Sequence, residues 1–133
     1  MKLEIKCVKT DKKVLVPCQL TSGTVGISLY AANEVDIHVG EVVSVSAGIK
    51  ISVPVGFEAQ IRSRSKLAYE RRIMLANGVG TIDNDYRDEV KVMLHNLGDR
   101  DYRVQRGEKI AKLVIVPVVD FEMVMVDELP EFD

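Results

Sequence analysis

The chain has no excess of positive charge. Its 18 lysines and arginines stand against 20 aspartates and glutamates, leaving a net charge of -2. Proteins that hold duplex nucleic acid need a basic surface to displace its counterions, so nucleic acid is excluded as the main partner. A long apolar run is missing too. The longest, Leu113 to Val119, has seven residues and includes Pro117, far short of the roughly 20 that a membrane helix requires. The opening Met1-Lys2-Leu3-Glu4-Ile5-Lys6 alternates charge and bulk. It reads as neither a signal nor a transit peptide, and a cytoplasmic location is expected. Cysteine and histidine are scarce: Cys7 and Cys18, with no CxxC, and His38 and His95 far apart. That spacing offers no zinc site. Cys7 falls on an alternating pattern and is expected to be a buried reduced thiol rather than half of a Cys7–Cys18 disulfide. No Ser/His/Asp or Cys/His set assembles, and no repeat or low-complexity stretch is present.

What the chain does contain is strand pattern. Its 133 residues, 47% hydrophobic and 29% charged, predict one globular domain over residues 1–133, large enough to fold without a metal or disulfide. Lys2 to Val8 alternates polar and apolar residues. Val42 to Ser46 and Ile49 to Val53 do the same, separated by Ala47-Gly48. Pro54-Val55-Gly56 reads as a turn into a further strand, Phe57 to Ile61. Val90 to Leu94 is another strand, followed by an Asn96-Leu97-Gly98-Asp99 turn. Arg106-Gly107-Glu108 turns into Ile110 to Val119, whose continuous apolar character suits a buried strand. Turn signals about every ten residues point to an all-β sandwich or barrel. One helix is predicted, over Ser65 to Arg72, with Ser65 as its cap. From Asp120 onward there are six acidic residues and no basic one, read as a solvated tail.

Three segments carry residue types suited to chemistry. In Asn77-Gly78-Val79-Gly80-Thr81-Ile82-Asp83-Asn84-Asp85-Tyr86-Arg87, glycines permit close backbone approach. The Asn77 amide, donor and acceptor together, suits the edge of a nucleobase. Asp83 and Asp85 would share one face of an extended chain, where a carboxylate can orient and deprotonate a water. Tyr86 offers a flat face to a sugar or base. The competing reading is a polar hairpin in which Asn and Asp merely serve the turn. In Arg62-Ser63-Arg64-Ser65-Lys66, the arginine fork suits phosphate oxygens, against the plainer reading of a solvated basic face. Gly107 to Leu113 alone is a turn and a strand.

Taken in order, these segments resemble the trimeric dUTPase family, over about Thr21 to Pro130. The resemblance implies a distorted jelly-roll β barrel, three copies around one axis, and sites lying between subunits. It implies that Asp83 is the base for the water that attacks the α-phosphorus of dUTP, releasing dUMP and pyrophosphate. By the same match Asn77, Gly80, Thr81 and Ile82 read uracil, and Tyr86 packs under deoxyribose. Arg64, Ser65, Lys66 and Lys112 fall at phosphate-contacting positions, with magnesium bound to the triphosphate. A dCTP deaminase shares the fold, but the Thr81-Ile82-Asp83-Asn84-Asp85-Tyr86 run is similar to the dUTPase pattern instead.

The sequence also departs from that pattern. Ser28 stands where the family has an aspartate that supports the magnesium's water shell. Lys66 replaces a small residue after Arg64-Ser65, Arg72 replaces the glycine that ends the helix, Asp88 follows Tyr86-Arg87, and Lys112 replaces a glutamine. A non-glycine left-handed cap at Arg72 costs about 1 kcal/mol. The family's glycine-rich closing arm has no counterpart before Leu129-Pro130-Glu131-Phe132-Asp133, which is expected to weaken catalysis. Two readings therefore stand side by side. One is a dUTP diphosphatase. The other is an impaired or engineered trimeric scaffold on the same fold, with a second protein component docking near Tyr69, Arg71 and Arg72.

Overall fold

Eleven elements run through the computed structural model, which describes residues 2–17, 21 and 23–132. Two four-stranded antiparallel sheets form the body. In the first, the order is β1 (Lys6–Lys9), β4 (Val42–Ser52), β8 (Glu89–Asn96), β6 (Ile73–Leu75). In the second it is β2 (Ile27–Tyr30), β10 (Lys109–Pro117), β5 (Phe57–Ser63), β7 (Gly80–Ile82). A small ladder joins β3 (Val35–Ile37) to β9 (Tyr102–Val104). The inward rows of both sheets meet in one core. Val45, Ala47, Ile49 and Ile51 of β4 and Val90, Val92 and Leu94 of β8 pack in the same cluster as Leu29, Ala59, Ile61, Ile82, Ile110 and Leu113. Each fully buried valine, leucine or isoleucine side chain there contributes roughly 1.5–3 kcal/mol. The all-β expectation, with one short helix, holds.

Several local expectations are revised. The two stretches either side of Ala47-Gly48 are one strand. Between Ser46 and Lys50, β4 advances four residues while β8 advances two, from Lys91 to Glu89. An even slip leaves the period-two alternation intact, so Ile49 and Ile51 stay inward. Gly48 makes the bulge, with φ +69 and a Cβ position only 2.4 Å from Val14 Cγ2. The first strand is shorter than Lys2 to Val8, and all four residues of β1 are exposed. Cys7 is therefore an exposed thiol, not a buried one; Cys18 lies outside the described residues. The Pro54-Val55-Gly56 turn forms as read: Phe57 N–H donates to Pro54 O at 3.2 Å, and Gly56 takes φ +91, as the third position of a type II turn demands.

The helix α1 spans Ser65–Arg71, but Ser65 does not cap it. Arg64 occupies the cap position, and no side chain supplies a capping bond. At the other end Arg72 sits at φ 56, the sole non-glycine residue at positive φ among those described. Its N–H donates to Ala68 O at 3.0 Å and its carbonyl accepts from Leu97 N–H at 2.9 Å, which holds the strained residue in place. Residues 120–132 carry no regular structure and are exposed, as the tail reading requires.

Candidate functional site

Asn77 to Glu89 is not a hairpin. Strand β6 belongs to the first sheet, β7 to the second and β8 to the first again. The segment therefore crosses from one sheet to the other twice. Gly80 allows the crossing: it pairs with Ile61 of β5, and a Cβ there would stand 3.0 Å from Ile61 Cβ and 3.5 Å from Asn77 Nδ2. After Ile82 the chain turns at once. Tyr86 N–H donates to Asp83 O at 3.1 Å, so Asp83 and Asp85 sit in a turn and not on one face of an extended strand. Arg87 closes the turn from outside, donating from Nη1 to Asn84 O at 2.6 Å and to Tyr86 O at 2.9 Å.

These crossings leave a cavity of about 290 Å³ lined by residues of β4, β5, β7 and β8. Its walls include Asn77, Gly80, Thr81, Ile82 and Tyr86, all named from the sequence. Ser44, Lys91 and Met93 also line it. Sequence reasoning missed these three, though the alternation of β8 places Lys91 and Met93 on its outer face. Tyr86 is held rather than free: its hydroxyl donates to Glu89 O at 2.7 Å and its ring packs on the core. Glu89 is held in turn. Hydrogen bonds from Ser46 and Thr10 keep its carboxyl below the usual range, the Thr10 hydroxyl lying 2.6 Å away.

Asp83 is exposed and faces a different hollow, lined also by Phe57, Glu58, Asn84 and residues 118–121. The candidate phosphate residues lie elsewhere again. Ser28 and Lys112 are paired across β2 and β10. They are half-buried and share a depression with Thr21, Thr24 and Gly26. Arg64 is half-buried at the start of α1, while Ser65 and Lys66 are exposed in its first turn. Ser63, the other serine of that cluster, is committed to the fold, because its hydroxyl accepts from Leu75 N–H at 3.0 Å. Near α1, burial and then the hydrogen bond it donates to Glu108 push the Tyr102 hydroxyl up to about 12. The Arg71 guanidinium sits 5.8 Å above its ring. One chain thus gathers the candidate nucleoside residues in one cavity, and it separates them from Asp83 and from the candidate phosphate residues.

A model of the dUTPase family matches residues 12–133. The deoxyuridine 5'-triphosphate nucleotidohydrolase of Hydrogenobaculum sp. (strain Y04AAS1) is 45% identical over 130 residues, spanning 97% of this chain and 89% of that protein. That of Helicobacter pylori (strain P12) is 41% identical over 129 residues, with the same shares. In fold, the chain superposes on a mutant dUTPase from phage phi11 of S. aureus, described for its structural Mg(II) ion. The TM-score is 0.87 at 18% identity, over 96% of this chain and 99% of that one. A mutant Staphylococcus bacteriophage 80alpha dUTPase with dUpNHpp gives 0.88 at 19% identity, over 99% and 93%. Nothing in these likenesses favours an engineered scaffold or a second protein component.

Proposed function

The chain belongs to the dUTPase family, and from that premise we propose that it hydrolyses dUTP to dUMP and pyrophosphate. The observation that carries the reading is the cavity beside β7 and β8, lined together by Asn77, Gly80, Thr81, Ile82 and the pinned Tyr86. Its lining, apolar groups with a few polar ones among them, suits a pyrimidine nucleoside. The Asn77 amide would pair with the base edge, and the Tyr86 ring would lie against deoxyribose.

In the reaction Asp83 takes a proton from a water. The oxygen of that water bonds to the α-phosphorus, and the bond from phosphorus to the bridging oxygen breaks. Pyrophosphate leaves with the electron pair. Arg64, Ser65, Lys66 and Lys112 would hold the phosphate chain. Because they lie apart from the nucleoside cavity within one chain, the reading places complete sites between copies, in a homotrimer. Magnesium fits this scheme as a companion of the triphosphate, where it neutralises phosphate charge. Among the described residues no three histidine, cysteine or acidic side chains cluster to grip an ion directly. The ligands would be phosphate oxygens and water, with Ser28 offering a hydroxyl at the family's aspartate position. Among the described residues no helix is long and apolar enough to cross a membrane.

The test is pyrophosphate release from dUTP with magnesium, on protein whose mass has been measured by light scattering. Release that disappears in Asp83→Asn supports the reading. Release that survives the substitution removes Asp83 from its role. No release from an intact trimer removes the activity.

A further inference from the structure

Tyr102 lies on β9, outside every motif read from the sequence, yet its hydroxyl donates to Glu108 Oε2. We propose that Tyr102 is a positioning residue: it holds the Glu108 carboxylate away from Arg64 and so leaves the Arg64 guanidinium open to the phosphate chain. The proposal deepens the dUTP reading and rests on it.

The second sheet brings the three residues together. Strand β5 pairs Ser63 with Ala111 of β10. Arg64, the next residue, leaves the sheet at the end where Glu108 leads into β10. The turn before β10 is fixed to the chain after β2. Gly107 N–H donates to Ala31 O, and Glu108 O accepts from Ala31 N–H, both at 2.8 Å. Arg64, Tyr102 and Glu108 are all half-buried. The Tyr102 ring lies under the Arg71 guanidinium, 5.8 Å away, and the charge of Arg64 also bears on its hydroxyl.

Glu108 would suit Arg64 as a partner, but both of its oxygens are taken. Oε2 accepts from the Tyr102 hydroxyl, and Oε1 accepts from Gln105 N–H at 3.0 Å. None of the ion pairs among the described residues includes Arg64 or Glu108. The hydroxyl also keeps its proton. Burial and then the bond to Glu108 outweigh the opposing charges of Arg71 and Arg64 and push it up to about 12, so it stays a donor at neutral pH. Without that hydroxyl, Oε2 loses its donor, and a half-buried carboxylate turns to a neighbouring guanidinium. Arg71 is exposed, where water weakens its pull. Arg64 is half-buried, where the attraction is stronger. Carboxylate and phosphate compete for the same arginine fork. Arg64 paired to Glu108 must therefore give up that pair before it can hold phosphate. The nucleoside cavity, lined by other residues, is untouched.

The experiment compares the full chain with Tyr102→Phe, which keeps the ring under Arg71. A second variant, Tyr102→Phe with Glu108→Gln, also removes the charge that would capture Arg64. Initial rates of pyrophosphate release give KM and kcat for dUTP. Calorimetry gives the Kd for deoxyuridine, a ligand without phosphate, and crystal structures locate Arg64. In Tyr102→Phe the KM for dUTP is expected to rise about fivefold, with an Arg64–Glu108 pair within about 4 Å. Its kcat and its deoxyuridine Kd should stay within about twofold, and the double variant should regain the original KM. An unchanged KM overturns the proposal. So does a rise that Glu108→Gln fails to rescue, or one that the deoxyuridine Kd matches, which would mark a merely structural role. A structure in which Glu108 pairs with Arg71 instead also overturns it. Failure of the underlying reading looks different: the unsubstituted chain then neither binds deoxyuridine nor releases pyrophosphate from dUTP, and Tyr102 has no phosphate residue to position.

Discussion

Asn96 donates from its side-chain amide to the carbonyl of Ile37 at 2.9 Å, across the molecule from β8 to β3. The same nitrogen donates to Arg100 O at 2.8 Å, and the side-chain oxygen accepts from Gly98 N–H at 3.0 Å. Asn96 is fully buried, and it is the one polar residue in the core among those described. It thereby fixes the end of β8, the loop after it and the start of the β3–β9 ladder. Replacing it with leucine would strand the Ile37 carbonyl in the interior and take the partner from two part-buried groups, the Arg100 carbonyl and the Gly98 N–H. The expected loss is about 2–4 kcal/mol, from these groups left without partners. Urea denaturation of Asn96→Leu checks this. A loss below 1 kcal/mol would mean water reaches the loop and the amide is replaceable.

The strain at Arg72 predicts the opposite sign. Its left-handed backbone, φ 56, is one that glycine adopts without steric penalty. Arg72→Gly is expected to raise stability by about 0.5–1 kcal/mol, read as a higher urea midpoint with unchanged slope. A lower midpoint would show that the arginine side chain supplies more than its backbone costs.

How much of this was legible in the sequence depends on the element. The Pro54-Val55-Gly56 turn was, because a type II turn requires a residue that tolerates positive φ at one fixed place. So was α1, apart from its cap. The strands β3, β6, β7 and β9 were not, since three residues such as Val35-Asp36-Ile37 carry too little alternation to register. The candidate site suffered most from this. Asn77, Tyr86 and Asp83 were readable as residue types, but nothing in a period-two pattern tells which sheet a three-residue strand joins. A hairpin was expected where the chain crosses between sheets. Asn96 looked like a turn residue and proved to be the buried hub. Lys91 was invisible until the fold set it among the residues that line the cavity.

His38 and Asp101 give the protein a pH signature. His38 Nδ1 lies 3.1 Å from Asp101 Oδ2. The hydrogen bond to Asp101 raises the histidine above its ordinary value. Asp101 is lowered, first by the Val39 N–H it accepts and then by His38. Glu41 and Asp36 also bear on the histidine, both raising it. A raised histidine contributes stability that is full below its unfolded value near 6.5 and is lost as pH rises through the folded value. A lowered aspartate contributes stability that is lost as pH falls through its folded value. The pair therefore helps most in mildly acidic solution. His38→Gln is expected to lower Tm more at pH 5.5 than at pH 8.5. Equal effects at both would show that the charged pair does not form in solution.

Gly80 sets the spacing of the cavity wall. With a Cβ position 3.0 Å from Ile61 Cβ, Gly80→Ala must push β7 away from β5. Overpacking of this kind costs roughly 1–3 kcal/mol, and here it also shifts Asn77. The expected outcome is a folded protein with a lowered Tm and deoxyuridine binding weakened more than tenfold in calorimetry. Wild-type affinity in the variant would show that the wall adapts, and that Gly80 is not needed for close approach of the base.

Tyr86 separates ring from hydroxyl. Its hydroxyl bond to Glu89 O, 2.7 Å long, fixes the ring angle, while the ring itself is the surface proposed for the sugar. Tyr86→Phe keeps the ring and leaves the Glu89 carbonyl to water, so the loss should be about 0.5–1.5 kcal/mol of stability. A two- to fivefold rise in KM for dUTP is expected with it, because the ring is no longer held at one angle. Tyr86→Ala removes the surface altogether and should raise KM by far more, while admitting the 2'-hydroxyl of UTP into the space vacated. The ratio of dUTP to UTP turnover is the decisive reading. A collapse of that ratio in Tyr86→Ala but not in Tyr86→Phe assigns sugar discrimination to the ring. Equal ratios in both variants and the wild type would mean that another group tests the sugar.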